Sequence, residues 1–172
     1  MVSDMRDILK FATTHGSGVV LSECGSVATR QQDFCNGIVF SNKPVKIAQK
    51  VCIEIQQSAE WSGAIRLGVT THDPLSQDCA SLPRYACPEL TAKPGYWARA
   101  LNEQYADNGN RITFYVNKDG QMHYFVNNEH KGILLSDLPT DVPTWLMFDI
   151  FGTTTAVKFV PAGRNTMLHI FN

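Results

Sequence analysis

The stretch Arg111-Ile112-Thr113-Phe114-Tyr115-Val116-Asn117-Lys118-Asp119-Gly120-Gln121-Met122-His123-Tyr124-Phe125-Val126-Asn127-Asn128-Glu129-His130-Lys131-Gly132-Ile133-Leu134-Leu135 decides the fold. Residues 111–117 alternate, with Ile112, Phe114 and Val116 on one face, which is the period of a strand that buries one side. Asn117-Lys118-Asp119-Gly120 supplies a turn whose glycine can take a positive φ. Residues 121–127 return as a second strand, and a polar turn at Asn127-Asn128-Glu129-His130 leads into a third over 132–135. The segment therefore predicts a three-stranded meander.

The same period recurs outward in both directions. Residues 50–55 place Val51, Ile53 and Ile55 on one face. Residues 64–70 place Ile65, Leu67 and Val69 on one face and Arg66, Gly68 and Thr70 on the other. Residues 145–151 and 154–160 read as a further strand pair around Gly152, with Leu146, Phe148 and Ile150 facing opposite to Met147, Asp149 and Phe151. Residues 97–105 read as a short strand followed by a turn. Short strands separated by Gly, Pro, Asn and Asp clusters predict an all-β fold, a two-sheet antiparallel β-sandwich, and not alternating βα units. The expected core is Ile53, Ile55, Ile65, Leu67, Val69, Ile112, Phe114, Phe148 and Ile150. Residues 71–95 carry Pro74, Pro83, Pro88 and Pro94 with little periodicity, which predicts a long ordered loop, and such loops are usually functional.

The 172 residues suit one domain over 1–172 with its core at roughly 9–162, and no linker or repeat divides them. A formal net charge of −1 lacks the electrostatic footprint of a nucleic-acid binder, and there is no polybasic stripe for anionic lipid. No run approaches the ~18 apolar residues of a membrane span. The first ten residues lack a secretory layout, so a cytoplasmic location is expected. Cys24, Cys35, Cys52, Cys79 and Cys87 are spread without the close pairs of zinc sites, so free thiols and no metal are expected.

A specific pattern emerges when separate segments are taken together. Phe11 and His15-Gly16 are followed by Phe34-Cys35-Asn36-Gly37-Ile38-Val39-Phe40-Ser41-Asn42-Lys43-Pro44-Val45 and Trp61-Ser62-Gly63-Ala64-Ile65-Arg66-Leu67-Gly68-Val69-Thr70, with Asp73-Pro74 just after. Leu82-Pro83-Arg84-Tyr85-Ala86-Cys87-Pro88-Glu89-Leu90, Gly95-Tyr96-Trp97-Ala98, and Trp145 with Asp149-Ile150-Phe151-Gly152 complete it. In order and spacing these resemble the neuralized homology repeat of the Neuralized family over roughly residues 11–160. Tyr85-Ala86-Cys87-Pro88 with Trp97 looks most like the first repeat.

The resemblance implies a SPRY-like β-sandwich that serves as the substrate-recognition part of a RING-type E3 ubiquitin ligase. It implies binding of extended segments from Notch-ligand cytoplasmic tails (Delta or Serrate-like) and of Asn-containing motifs in Bearded-type inhibitors. Ligand ubiquitination and endocytosis at the plasma membrane and endosomes would follow, with membrane contact only through the ligand tails. Neither a second repeat nor a RING is expected in this sequence, and Phe151 stands where the family usually has tyrosine.

The expected peptide-binding residues are Arg66, Tyr85, Trp97, Tyr105, Phe151, Gly152 and Thr153. Arg66 lies on the non-core face of its strand beside Gly63 and Gly68, which predicts an open floor for a peptide. Its alternative is a solvated or Asp149-paired arginine. Tyr85, Trp97 and Tyr105 are amphipathic rings suited to anchoring a partner, with core packing as the alternative. For Trp61, Trp97 and Trp145 the core is favoured. Arg66, Tyr85 and Thr153 beside Phe151 and Gly152 supply polar groups at the rim of an aromatic surface. Cys35, His72 and Cys87 raise thiol or metal chemistry, but no nucleophile has a recognisable local context, so no catalytic residue and no cofactor are expected. His15, His123, His130 and His169 read as structural or surface residues. A self-associating structural sandwich and an enzyme are the competing functions.

Overall fold

The meander forms as β7 (Arg111–Val116), β8 (Met122–Val126) and β9 (Glu129–Leu135) in a computed structural model that describes residues 8–57 and 61–162. Cross-strand partners such as Ile112 with Val126 and Phe114 with Tyr124 set its register. The third strand begins at Glu129, earlier than periodicity indicates, because register irregularities let β9 follow β8 past the turn. The other strands among the described residues are β1 (Val19–Ser22), β2 (Val27–Arg30), β3 (Ile38–Val45), β4 (Val51–Gln57), β5 (Arg66–Thr70), β6 (Tyr96–Ala100), β10 (Thr144–Asp149) and β11 (Thr154–Val160).

They form two antiparallel sheets, one of seven strands in the order β1-β2-β11-β4-β7-β8-β9 and one of four in the order β3-β10-β5-β6. The main core lies between the sheets. Ile53, Ile55, Ile65, Leu67, Val69, Ile112 and Ile150 are fully buried there, with Phe114 and Phe148 1% exposed. Burying each such side chain contributes on the order of 1.5–3 kcal/mol, which selects the register that turns these faces inward.

The strand pair expected around Gly152 does not form. β10 pairs with β3 and β5, whereas β11 pairs with β2 and β4, so the chain changes sheets at this corner. Arg30 at the end of β2 holds the crossing. Its guanidinium, on a residue 5% exposed, donates to the carbonyl oxygens of Ile150 (2.9 Å), Thr154 (2.7 Å) and Gly152 (2.8 Å). A corner whose carbonyls point inward to a buried cation has no need of hairpin pairing.

The loop over 71–95 is ordered and mostly structural. Asp73 and Asp78 cap short 3-10 turns at Pro74–Ser76 and Cys79–Ser81. Ala86 and Leu90 then pack with Ala12, Ile38, Phe40 and Met147 in a second, smaller core on the outer face of the four-stranded sheet. This overturns the open floor expected beside Arg66. Gly68 is buried, and a Cβ there would collide with the Trp97 carbonyl, so its bareness serves close strand approach and not a ligand.

Candidate functional site

The second core stops short of one end of the small sheet, and there four aromatic rings from separate segments meet. Phe34 precedes β3, Trp61 precedes β5, Tyr85 comes from the long loop, and Phe151 sits on the sheet-crossing corner. Phe34 lies 5.1 Å from Trp61, 6.4 Å from Tyr85 and 6.1 Å from Phe151, and Tyr85 lies 6.0 Å from Phe151, centroid to centroid. Trp61 is 40% exposed and the other three are half-buried. Solvent therefore reaches a continuous aromatic surface that no strand covers.

Two arginines edge it. The Arg66 guanidinium stands 3.8 Å over the Phe151 ring, and that of Arg84 5.8 Å over Tyr85. Arg66 also donates to the Ala64 carbonyl, and Arg84 to the Cys35 thiol at 3.4 Å. Beneath them Asp149 is 1% exposed and directly opposite Arg66 in register, but no ion pair joins the two. Its Oδ2 accepts from the Ala86 N–H at 2.9 Å, which fixes the chain beside Tyr85. Burial pushes the Asp149 carboxyl above its ordinary range, opposed by the Ala86 N–H, Arg66 and Arg30. Burial pulls Arg30 down, with Asp149 opposing.

Backbone conformation frames the surface. Gly63 has φ +84, and a Cβ there would lie 2.7 Å from the Phe151 ring. Gly152 has φ +62 and abuts the Ser62 and Gly63 carbonyls. At both places only glycine fits without strain.

Of the residues expected from sequence, Arg66, Tyr85 and Phe151 come together on this surface. Gly152 and Thr153 are buried beneath it as the corner's backbone, where the Thr153 N–H donates to the Gly63 carbonyl, so Thr153 is not a rim group. Trp97 pairs with Val69 and therefore shares its inward face, and Tyr105 packs against the same main core beside Tyr124 and Lys131. Both lie apart from the aromatic surface. Trp61, expected in the core, is instead an exposed member of the surface, because it precedes β5 and leans on Phe34. Trp145 is half-buried in β10.

Phe34, Trp61 and Arg84 complete the site. Each stands inside a motif legible in the sequence, but nothing in their spacing brings them together.

The five cysteines are unpaired, and among the described residues no group of three or more potential metal ligands occurs. Cys87 is half-buried and its thiol is pushed up by burial, opposite to an activated nucleophile. His72 stacks on Tyr96, and His123 bonds His130, while His169 lies outside the described residues. No helix among the described residues is long and apolar enough to cross a membrane.

The sequence pattern of the family described as Neuralized matches residues 11–161. The chain is 43% identical to Protein neuralized of Drosophila virilis over 90% of this chain and 21% of that protein. It is 33% identical to human E3 ubiquitin-protein ligase NEURL1B over 87% of this chain and 27% of that protein. It thus spans about a fifth to a quarter of these relatives' lengths.

The crystal structure of the Drosophila melanogaster neuralized-nhr1 domain superposes with a TM-score of 0.87 at 40% identity, covering 90% of this chain and 99% of that one. The SPRY domain of human HERC1 shares the fold alone, with a TM-score of 0.61 at 12% identity over 87% of this chain and 96% of that one.

Proposed function

This chain belongs to the Neuralized family as a neuralized homology repeat domain, and from that premise we propose that it recruits protein substrates for an E3 ubiquitin ligase. The supporting observation is the surface of Phe34, Trp61, Tyr85 and Phe151 flanked by Arg66 and Arg84. Aromatic and arginine side chains dominate the binding energy of protein interfaces, because each buries much area at low conformational cost and still carries a polar group. Rings held 5–6 Å apart by a buried Arg30 and Asp149 are already organised before a partner arrives.

The occupant we propose is an extended peptide segment from the cytoplasmic tail of a Delta-like or Serrate-like Notch ligand, or from a Bearded-type inhibitor. Asparagine side chains would provide its polar contacts. A desolvated amide must satisfy both a donor and an acceptor, and the Arg66 and Arg84 guanidiniums stand at the edge of the rings as donors to its oxygen. Such a domain acts in the cytoplasm and meets the plasma membrane and endosomes through its ligands. In this proposal the chemistry of ubiquitin transfer belongs to a RING outside the repeat.

Calorimetric titration with a Delta-like tail peptide and with Asn→Ala versions of it tests the proposal. Binding in the micromolar range or tighter is expected, weakened by ~1–3 kcal/mol for each asparagine lost. Equal affinity for all the peptides would show that asparagine is not what the domain reads.

A further inference from the structure

Arg66 and Asp149 are directly opposed across the β5–β10 ladder, a placement that sets side chains on one face at close range. The guanidinium is nevertheless over the Phe151 ring and spends one nitrogen on the Ala64 carbonyl. Asp149, almost wholly buried, has Oδ2 bonded to the Ala86 N–H while Oδ1 has no hydrogen-bond partner. A buried carboxylate oxygen without a donor is costly, and a cation with unused donors stands in the next strand.

We propose that Arg66 is a latch on the binding surface. A flat group of the partner, an aromatic ring or an amide plane, takes the guanidinium's seat on Phe151, and the displaced guanidinium closes onto Oδ1 of Asp149.

The charged and titratable groups around Asp149 single out Arg66. They are Arg30 from β2, Arg66 from β5, and Cys87 and Glu89 from the long loop. Arg30 is committed to the carbonyls of Asp33, Ile150, Gly152 and Thr154. Cys87 and Glu89 bring no positive charge. Arg30 keeps one N–H, on Nη2, whereas Arg66 has four uncommitted, so Arg66 is the cation with donors to spare.

The seat it would vacate is shaped for a planar occupant. The backbone at Gly63 packs so closely that even a methyl there would meet the Phe151 ring at 2.7 Å and the Arg66 guanidinium at 3.6 Å. The seat itself is at stacking distance, with the guanidinium carbon 3.8 Å from the ring centroid, which favours aromatic side chains, side-chain amides and peptide planes over branched aliphatic ones. Closing the latch also gives a desolvated carboxylate its missing donor at the moment of binding, so part of the binding energy comes from within the domain.

This inference rests on the aromatic surface being the binding site, but it is testable without a ligand. The readout is the side-chain carboxyl carbon-13 titration of Asp149 in the wild-type domain, Phe151→Leu, Arg66→Gln and the double variant. Removing the ring removes the seat, so in Phe151→Leu the guanidinium should turn to Asp149 and lower its midpoint by about 1–3 pH units. In the Arg66→Gln background, loss of the ring should leave the midpoint in place.

An unmoved midpoint in Phe151→Leu, or an equal fall in both backgrounds, overturns the latch. Should Phe151→Leu fail to fold, Phe151→Met serves the same comparison. Saturating the wild-type domain with the Delta-like tail peptide should produce the same fall. Peptide binding without that fall overturns the latch and leaves the binding proposal standing. Absence of peptide binding removes the binding proposal, while the ligand-free comparison still judges the latch.

Discussion

Arg30→Met removes the group that holds the corner between the two sheets. The wild-type guanidinium makes hydrogen bonds of 2.7–2.9 Å to three carbonyls, those of Ile150, Gly152 and Thr154, from a residue only 5% exposed. Methionine fits a similar volume and recovers some apolar burial, but it leaves the three corner acceptors short of a donor at ~1–3 kcal/mol each, while the exposed Asp33 carbonyl it also releases can turn to water. It also strips Asp149 of a positive neighbour that favours its charged form, although the two make no ion pair.

These contributions overlap, so a net loss of ~3–5 kcal/mol is expected, a large share of the ~5–15 kcal/mol that a domain possesses. Urea unfolding followed by tryptophan fluorescence measures it. With m of ~2 kcal/mol/M the midpoint should fall by roughly 2 M. Arg30→Lys should recover only part of that, since a point charge does not fork to three carbonyls. A midpoint shift below about 0.5 M in Arg30→Met would refute the corner's dependence on this side chain.

Other perturbations separate the fold from the site. Trp61→Ala should change stability by less than about 1 kcal/mol, because the ring is 40% exposed, yet weaken tail-peptide binding at least tenfold, as melting curves and calorimetry would report. Gly152→Ala forces a side chain into φ +62 and against the Ser62 and Gly63 carbonyls, so a loss of at least ~1–3 kcal/mol is expected in denaturant midpoints. Asp149 binds its proton more tightly in the folded chain than in the unfolded one, so its contribution makes stability fall as pH rises from about 3.9 through its folded midpoint. Urea midpoints measured from acid to neutral pH should show that descending component in wild type and lose it in Asp149→Asn.

Strands whose residue types alternate were legible from sequence, and a strand whose residues are apolar on both sides was not. β4, β5 and β7 alternate large apolar residues toward the main core with small or polar residues on the other side, even where, as at Gly68 and Thr70, that other side is also buried. In β3 the run Ile38, Val39, Phe40 and Ser41 is buried on both sides, between the main core and the second one, so no alternation marks it as a strand. β1 and β2 are four residues each, too short for periodicity to register. The false pairing of β10 with β11 came from proximity in sequence, since the guanidinium that forces the sheet change comes from residue 30.

The site was legible where a residue and its strand parity were enough, as at Arg66, whose side leaves the main core. It was not legible where pairing decides orientation. Trp97 faces inward because its partner is Val69, and the grouping of residues 34, 61, 84, 85 and 151 exists only once two sheets have closed.

In the proposed function, the aromatic surface edged by Arg66 and Arg84 is where this domain meets its protein partners. Backbone and side-chain chemical-shift mapping of the labelled domain during titration with a Delta-like tail peptide tests it most directly. The largest shifts should fall on Phe34, Trp61, Gly63, Arg66, Tyr85 and Phe151, with the indole N–H of Trp61 among them. Shifts concentrated instead around His123 and His130 on the seven-stranded sheet, with those six residues unmoved, would contradict it.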